Sequence, residues 1–325
     1  MSGPLSRPLA PLILALVGQT ASGKNRAAVE AVTSANLPVE IISMDSMKLY
    51  RGMDVGTAKP DAGLRARVPH HLVDVADPHE YFDVARWFAQ ATEAESAIRA
   101  RGNVPAYVGG TGMYLHLLVH GHFDGPGADA ALRDALRAEI ADVGLAALHA
   151  RLAEVDPAAA ARIHPNDEKR IIRALEVHAL TGTPISQQQT QAQAPRTDVR
   201  FSLCGLRWAT PVLDARIDRR CAEMFAAGWI DEVRRIASGA GFGQQAREAL
   251  GYREILEHLA APGRSEAETL ALVQQRTRRF ARKQMTWFRR FGEAIRWFDL
   301  DPATASAESV GAEVAAVWRS AIEAA

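Results

Sequence analysis

The stretch at residues 12–25, LILALVGQTASGKN, constrains the fold of this chain more than any other part of the sequence. An apolar, β-prone run ends at Gly18, four residues intervene, and Gly23-Lys24 follow where a helical pattern begins. In such a loop, glycines let backbone N–H groups close around phosphate oxygens, and the dipole of the following helix favours anions. The stretch therefore predicts a phosphate-binding loop that holds a diphosphate or triphosphate. The predicted loop residues are Gly18, Gln19, Thr20, Ala21, Ser22, Gly23, Lys24 and Asn25.

Asn25 departs from the usual form of this loop. The pattern G-x-x-x-x-G-K normally ends in Ser or Thr, whose hydroxyl reaches a phosphate-bound Mg²⁺. The amide oxygen of Asn25 can still bind Mg²⁺ or accept a hydrogen bond, although the side chain is bulkier than Thr and has no hydroxyl. Asn25 is therefore the candidate metal ligand of the loop.

The charge balance and the cysteine content exclude several classes of protein. Lys plus Arg equals Asp plus Glu, 38 against 38, so any polyanion must be bound by local clusters of charge. Cys204 and Cys221 have no metal-ligand spacing, which argues against a disulfide framework or a structural zinc site and suits a reducing compartment. The apolar run before Gly18 is far too short for a membrane span. We expect a cytoplasmic protein that does not bind membranes.

Strands alternate with helices before residue 121 and again after residue 200, which indicates βαβ units. We therefore predict an α/β fold with a P-loop NTPase-like parallel sheet flanked by helices. Between these regions the sequence is helical and Ala-rich, and its polar end, 187–193, predicts a mobile linker. The predicted domains are a first part of the catalytic core at 1–122, an all-helical insertion at 123–200, and a second core part with a long basic helix at 201–325.

Two local predictions concern the core. A short strand is predicted at residues 71–75, after an ordered, glycine-rich loop at 50–60. The long helix is predicted to begin at Ser265, where Glu268 completes a capping box, and to end near Phe291. Its predicted apolar stripe consists of Phe280, Trp287 and Phe291.

Asp45 lies just past the second predicted strand, at the edge where open parallel sheets bind their ligands. There it could act as a general base or a metal ligand, or it could simply cap the turn at Ser46, and position alone does not decide between these roles. Gly109-Gly110-Thr111 also follow a strand and precede a helix. Such a turn either brings its backbone close to a ligand or only joins the two elements.

Two clusters of basic residues are present although the net charge of the chain is zero. Lys169, Arg170 and Arg173 follow a predicted helix start at Asn166-Asp167 and share one helix face. The long helix has seven Lys or Arg residues and no acidic residue between Arg276 and Arg290. Because like charges without acidic partners repel one another, an RNA backbone explains this run as well as a solvated helix face does.

Further arginines could hold phosphate directly. Arg216, Arg219 and Arg220 surround Asp218 on one predicted helix, and Arg253 follows Gly251-Tyr252. Each group is either a bidentate clamp on phosphate or a surface ion pair, and the sequence leaves both readings open.

Seven stretches, spread in order over most of the chain, match one family of enzymes. They are GQTASGK (18–24), SMDSMKLYRGMDVGTAKP (43–60), PHHLVDV (69–75), VGGTGMY (108–114), AARIHPNDEKRIIRALEV (160–177), GYRE (251–254) and RKQMTWFRR (282–290). Through them the sequence resembles the tRNA dimethylallyltransferases, which prenylate an adenosine beside the anticodon. The second stretch is far more specific than the phosphate loop alone.

The resemblance implies that a dimethylallyl group passes from dimethylallyl diphosphate to the exocyclic N6 of that adenosine, with Mg²⁺ and diphosphate at the loop. It implies that Asp45 takes the N6 proton and that Lys24 and Arg220 hold the diphosphate. The implied partners are a tRNA anticodon stem-loop and the prenyl donor, and we expect a monomer. The residues implied to contact tRNA are Asp45, Ser46, Met47, Lys48, Thr111, Lys169, Arg170, Ile171, Ile172, Arg173, Arg253, Arg282, Lys283 and Arg289.

The sequence departs from the family at two loop positions, since Gln19 stands where members usually have Pro, and Asn25 where they have Thr or Ser. Two other functions remain open at this point. One is a small-molecule or nucleotide kinase on the same fold, in which Asp45 would activate a hydroxyl. The other is a catalytically impaired relative that binds tRNA and retains only a relic of the phosphate loop.

Overall fold

A computed structural model describes residues 10–121, 125–189, 195–261 and 263–325. Its contacts divide the chain into a larger unit, Met1–Leu117 with Thr197–Ala325, and a smaller unit, Leu118–Arg196. The sequence prediction had set these boundaries at residues 123 and 200. Most of the predicted mobile linker, residues 190–193, lies outside the described residues. No described helix is long and apolar enough to cross a membrane.

The larger unit is built on a six-stranded sheet with the order β3-β2-β4-β1-β5-β6, in which every pair of neighbours is parallel. Both β1 and β2 are buried along their whole length, as expected when helices cover both faces of a sheet. The predicted α/β fold with a parallel sheet is confirmed. The strands are β1 (Leu12–Gly18), β2 (Val39–Met44), β3 (His70–His71), β4 (Val104–Gly109), β5 (Arg200–Trp208) and β6 (Ile295–Leu300).

One helix lies between each pair of successive strands up to β4, and longer runs of described helices follow, six between β4 and β5 and five between β5 and β6; the last five helices of the first run belong to the smaller unit. In chain order they are α1 (Lys24–Ser34), α2 (Ala62–Arg67), α3 (Val84–Ala100), α4 (Gly112–His120), α5 (Ala130–Val143), α6 (Leu145–Val155), α7 (Pro157–Arg162), α8 (Glu168–Thr181), α9 (Ile185–Gln189), α10 (Thr210–Ala226), α11 (Trp229–Ser238), α12 (Gln244–Arg247), α13 (Tyr252–Ala260), α14 (Glu266–Phe288) and α15 (Ala307–Glu323).

The strand predicted at residues 71–75 is wrong in extent, because β3 consists of His70–His71 only. Leu72 and Asp74 both have a φ of 59°, which an extended strand cannot accommodate. The chain turns here and runs back toward the loop at 50–60. The two segments are joined by backbone hydrogen bonds, in which the Arg51 N–H donates to the Ala76 carbonyl and the Val75 N–H donates to the Leu49 carbonyl.

The long basic helix α14 begins as predicted, with Ser265 and Glu268 forming the capping box. Its apolar stripe was predicted wrongly. The buried side chains are Thr269, Val273, Ala281, Gln284 and Phe288, which recur at helical spacing, whereas Phe280 is 44% exposed. A polar residue thus occupies the buried face, and an aromatic ring stands outside it.

The smaller unit is a bundle of short helices around an apolar core that includes Leu148, Leu152, Ile171 and Val177. Glu176 is fully buried in it. Its carboxylate accepts hydrogen bonds from Arg133 and Arg173 and from the Asp129 N–H, which holds α5 against α8. These charged donors outweigh the effect of burial and hold the pKa of Glu176 below its usual value.

Candidate active site

The predicted phosphate loop is a turn between β1 and α1 whose backbone is shaped to hold an anion. Ala21 and Gly23 have φ values of 61° and 90°, and the Ser22 N–H bonds to the Gln19 carbonyl at 3.2 Å. Gly23 occupies the N-cap position of α1, and no side chain caps it among the described residues. The first N–H groups of the helix therefore stay available to phosphate oxygens.

Helix α14 holds the loop from one side through Gln284 on the helix and Gln19 in the loop. The Gln284 Oε1 accepts from the Thr20 N–H at 2.8 Å, and its Nε2 donates to the Gly110 carbonyl at 2.9 Å. The Gln19 amide donates to the Ala281 carbonyl at 2.9 Å. Gln284 thus joins the phosphate loop to the Gly109-Gly110-Thr111 turn, and Gln19, an unusual residue in the family pattern, adds a tether to the same helix.

Helix α10 and the end of β5 hold the loop from another side. The Trp208 indole N–H donates to the Ser22 carbonyl at 3.1 Å, and the Arg216 Nε donates to the Ala21 carbonyl at 3.0 Å. The Arg216 guanidinium also stacks 4.4 Å from the centre of the Trp208 ring. Arg216 therefore supports the loop backbone, and Arg219, on the same helix, forms a long exposed pair with Glu223.

Asp45 is partly buried at the end of β2 and borders the same cavity as the loop. Its Oδ1 accepts from the Met47 N–H at 3.0 Å and the Lys48 N–H at 3.3 Å, whereas no described residue donates a hydrogen bond to Oδ2. The two roles considered for Asp45 are therefore compatible. One oxygen caps the turn and fixes the orientation of the carboxylate, and the other is left to face the cavity.

The strand edge is tightly packed around Asp45. A Cβ on Gly109 would overlap the Met44 carbonyl, so only glycine allows β4 to approach β2 this closely. The Thr111 N–H donates to the Met44 carbonyl at 3.3 Å. This bond places Thr111, which directly precedes α4, at the cavity wall near Asp45.

Several cations border the cavity, which has a volume of about 1200 Å³, and Lys24, Lys48 and Arg220 are among them. Lys24 and Lys48 are buried, and Arg220 is half-buried. Burial, together with the charge of Lys48, lowers the pKa of Lys24 to about 7, and burial also lowers the pKa of Arg220. The charge of Asp45 acts in the opposite direction on each of these cations. Such a concentration of desolvated positive charge favours an anionic ligand.

The loop at 50–60 forms another wall, and a buried carboxylate orders it. The Glu232 Oε2 accepts from the Asp54 and Val55 N–H groups, both at 2.8 Å. Its Oε1 accepts from the Gly56 N–H at 3.2 Å and the Tyr252 hydroxyl at 2.6 Å. A single side chain on α11 thus fixes three successive residues of this loop and connects them to α13.

Trp229 fills the space behind that wall. Its side chain is 2% exposed, and a Cβ on either Gly56 or Gly251 would overlap its indole ring. Both glycines are therefore required by close packing, and Gly251, with a φ of 88°, is also in the left-handed region. The first two residues of the GYRE stretch therefore have structural roles. Gly251 packs against the Trp229 indole, and the Tyr252 hydroxyl donates to Glu232.

The residues implied to contact tRNA in the larger unit fall into two groups. Ser46, Met47, Lys48, Thr111 and Arg253 border the cavity, and Arg253 has Glu248, Glu254 and Glu257 within ion-pairing distance. Lys283 and Arg289 on α14 and the following turn are exposed, and Arg282 is exposed but paired with Asp214 at 2.7 Å.

In the smaller unit, burial limits which of the residues implied to contact tRNA can do so through their side chains. Lys169 and Arg170 are exposed, and Arg170 pairs with Asp167 at 3.0 Å. Ile171 and Ile172 are 0% and 4% exposed, so their side chains belong to the apolar core and are not available to RNA. Arg173 pairs with buried Glu176 and donates to the Pro126 carbonyl, which gives it a structural role.

The described residues offer few protein ligands for a metal at this site. Asn25 borders the cavity, but no group of three or more His, Cys, Asp or Glu side chains in the described ranges is placed to hold a metal ion. One amide oxygen beside an anion site suits Mg²⁺, which proteins often bind through few side chains and several phosphate oxygens. The donor set therefore fits a metal that is held mainly by a bound diphosphate.

Comparisons with known proteins agree on one family. The family model described as IPP transferase matches residues 48–291. The chain is 44% identical to tRNA dimethylallyltransferase 1 of Pelobacter propionicus over 91% of this chain and 94% of that protein. It is 48% identical to the tRNA dimethylallyltransferase of Symbiobacterium thermophilum over 89% of each.

Solved structures show the same likeness. The full-length tRNA isopentenylpyrophosphate transferase from Bacillus halodurans aligns with a TM-score of 0.66 and 36% identity, over 98% of this chain and 100% of that one. A eukaryotic dimethylallyltransferase acting on tRNA aligns with a TM-score of 0.75 over 91% of this chain and 75% of that one. At 24% identity, the latter match supports the fold alone.

Proposed function

This chain belongs to the IPP transferase family, and from that premise we propose that it transfers a dimethylallyl group from dimethylallyl diphosphate to tRNA. The acceptor is N6 of the adenosine on the 3′ side of the anticodon, and diphosphate is released. One observation carries the proposal most directly. The phosphate loop, Asp45 and the cations Lys24 and Arg220 all border the same cavity.

The leaving group accounts for the positive charge of the site. The C1–O bond of the donor breaks, and its electron pair goes to the diphosphate, while the N6 lone pair forms the new C–N bond. The loop N–H groups, Lys24 and Arg220 are already in place to stabilise the charge that develops on the diphosphate. In this proposal the loop grips a departing anion and transfers no phosphoryl group.

Asp45 serves as the general base. An aniline-like N6 is a weak nucleophile, and it becomes acidic only as the C–N bond forms and places positive charge on nitrogen. Asp45 Oδ2 then accepts the N6 proton, while Oδ1 remains bound to the Met47 and Lys48 N–H groups. The cap holds the carboxylate in one orientation throughout the reaction.

Mg²⁺ is proposed as the cofactor, and Asn25 is its nearest candidate protein ligand. When bound, the ion would neutralise part of the diphosphate charge. The rest of its coordination would come from substrate oxygens and water, since the described residues offer no acidic cluster.

The tRNA anticodon stem-loop is the proposed partner. A base inside a stacked anticodon loop cannot reach an internal cavity, so the adenosine must leave the stack. The exposed cations Lys283 and Arg289 in the larger unit and Lys169 and Arg170 in the smaller unit are proposed to bind the RNA backbone. A monomeric, cytoplasmic enzyme is part of the same proposal.

Two labelled donors test this function against a kinase. The purified protein is incubated with bulk tRNA and Mg²⁺, once with dimethylallyl diphosphate labelled in the prenyl group and once with ATP labelled in the γ-phosphate. We expect label to enter tRNA from the prenyl donor only. Label transferred from ATP to any acceptor, or tRNA binding without product under any metal, would refute the proposal.

A further inference from the structure

Lys48 is a buried lysine for which the free protein supplies no direct partner. Its side chain is 6% exposed and borders the cavity. In the described part of the chain, no hydrogen bond from its ammonium and no carboxylate within ion-pairing distance of it is found. Its backbone N–H donates to Asp45 Oδ1, and its carbonyl accepts from the Asp74 N–H.

Lys59, eleven positions further along the chain, is a buried lysine with a structural role and serves as a comparison. Its side chain is 3% exposed, and its Nζ pairs with Asp54 at 2.6 Å and with Asp74 at 2.5 Å. It also donates to the Tyr50 carbonyl at 2.7 Å. Burying an ammonium is strongly unfavourable unless it is paired, and Lys59 meets that condition while Lys48 does not.

The charges that face Lys48 are mostly of its own sign. The charges of Arg220 and Lys59 disfavour the charged form of Lys48, and that of Asp45 favours it. The charge of Lys48 in turn acts on Lys24 and on His70 in β3. Burial is the main cause that lowers the pKa of Lys48 to about 8. Among the charges that act on Lys24, the lysine of the phosphate loop, that of Lys48 has the largest effect. Lys24 and Lys48 both border the same cavity.

We propose that Lys48 is a ligand of the diphosphate, so that Lys24, Lys48 and Arg220 together enclose the leaving group. This inference rests on the proposed function and changes the role that family resemblance implied for Lys48, which was contact with tRNA. Lys48 adds a buried cation to Lys24 and Arg220 at the wall of the cavity. It also stands beside Asp45, so it holds the anion close to the base.

Proton uptake is the signature of this arrangement. Near pH 8 the free protein carries Lys48 partly deprotonated. A bound anion favours the charged form of Lys48 and raises its pKa. Binding of diphosphate should therefore draw protons from solution near pH 8 and fewer below pH 7.

Calorimetry with inorganic pyrophosphate and excess Mg²⁺ tests the inference without requiring catalysis. Titrations near pH 8 in two buffers of different ionisation enthalpy give both affinity and the number of protons taken up. Lys48→Met keeps the length of the side chain and removes its charge. We expect it to weaken pyrophosphate binding by about 10- to 100-fold, the usual effect of one charge-assisted hydrogen bond, and to reduce proton uptake. Lys48→Arg should retain most of the affinity.

Lys283→Met is the matched control, since Lys283 is an exposed lysine on the wall of the same cavity. We expect it to weaken binding of an anticodon stem-loop and to leave pyrophosphate affinity within about twofold of the parent protein. Lys48→Met should give the reverse pattern. It should also raise the melting temperature of the free protein, because it removes an unpaired buried charge.

Pyrophosphate binding by Lys48→Met with parent affinity and parent proton uptake would overturn the inference, and so would a loss confined to stem-loop binding. If Lys48→Met does not fold, Lys48→Gln is measured in its place with the same criteria. A parent protein that binds pyrophosphate but makes no prenylated tRNA would refute the proposed function only. The comparison of Lys48→Met with the parent protein would still decide the role of Lys48.

Discussion

Replacement of Asp45 separates its observed role as the cap of a turn from its proposed role as the general base. Asp45→Asn keeps an oxygen that can accept from the Met47 and Lys48 N–H groups, but it removes the base. Asp45→Ala removes both. Positioned general bases contribute about 10²- to 10⁴-fold to rate, so both variants should lose at least about 10²-fold in turnover. Only Asp45→Ala should also lose stability, by about 1–3 kcal/mol for two hydrogen bonds.

The assay is single-turnover prenyl transfer to an anticodon stem-loop, with stem-loop affinity measured separately by fluorescence anisotropy. Removing the Asp45 charge should also lower the pKa of Lys24 and of Lys48, because that charge favours their protonated forms. The rates are therefore compared below pH 7 as well as near pH 8. A deficit of similar size at both pH values assigns the effect to the lost base, with little change in stem-loop affinity.

One result would refute the reasoning directly. If Asp45→Asn transfers the prenyl group within a few-fold of the parent rate, Asp45 is not the base. If, in addition, Asp45→Ala is slow and unstable, its carboxylate serves only as the cap of the turn.

Three further substitutions test other parts of the structure. Glu232→Gln should place an amide N–H₂ group against the backbone N–H donors of the 50–60 loop, reduce the free energy of unfolding by about 2–4 kcal/mol and lower turnover. Urea denaturation followed by tryptophan fluorescence measures the loss of stability. An unchanged denaturation midpoint would contradict the role of Glu232. Glu176→Ala should destabilise the smaller unit by about 3 kcal/mol at neutral pH. Because the pKa of Glu176 is depressed in the folded protein, the parent protein should lose part of this advantage as pH falls through that pKa. Circular dichroism against pH shows both effects, and a stability difference that stays the same from neutral to acid pH would refute them. Asn25→Thr should raise turnover or tighten Mg²⁺ dependence in a metal titration, and if it does neither, Asn25 is a benign substitution.

The phosphate loop can be predicted from sequence because its determinants are contiguous. An apolar strand, two glycines and a lysine define the turn, and the same local reasoning correctly locates Asp45 at a strand edge. The side chains that hold these parts in place are not local. Gln284 binds a residue 264 positions away, and Glu232 binds one 178 positions away, so neither leaves a periodic signal.

The errors have a related cause. Hydrophobicity assigned Phe280 to the buried stripe of α14, yet the position that is buried belongs to Gln284, because its amide satisfies two backbone groups. Ile171 and Ile172 fell within a stretch implied to bind tRNA, although a helix that presents cations on one side must bury its other side. A motif therefore identifies a segment, and only packing shows which of its side chains are available.

The bonds of Gln284 make α14 a mechanical link as well as a basic surface. Its outer side carries the exposed Lys283, and its inner side is bound to Thr20 and Gly110. Any rotation of α14 caused by RNA would therefore move the loop that we propose binds the diphosphate. By thermodynamic reciprocity, an occupied loop then changes the affinity for RNA by the same factor that RNA changes the affinity for diphosphate. The binding of RNA and the binding of diphosphate would in this way be coupled through the Gln284 side chain.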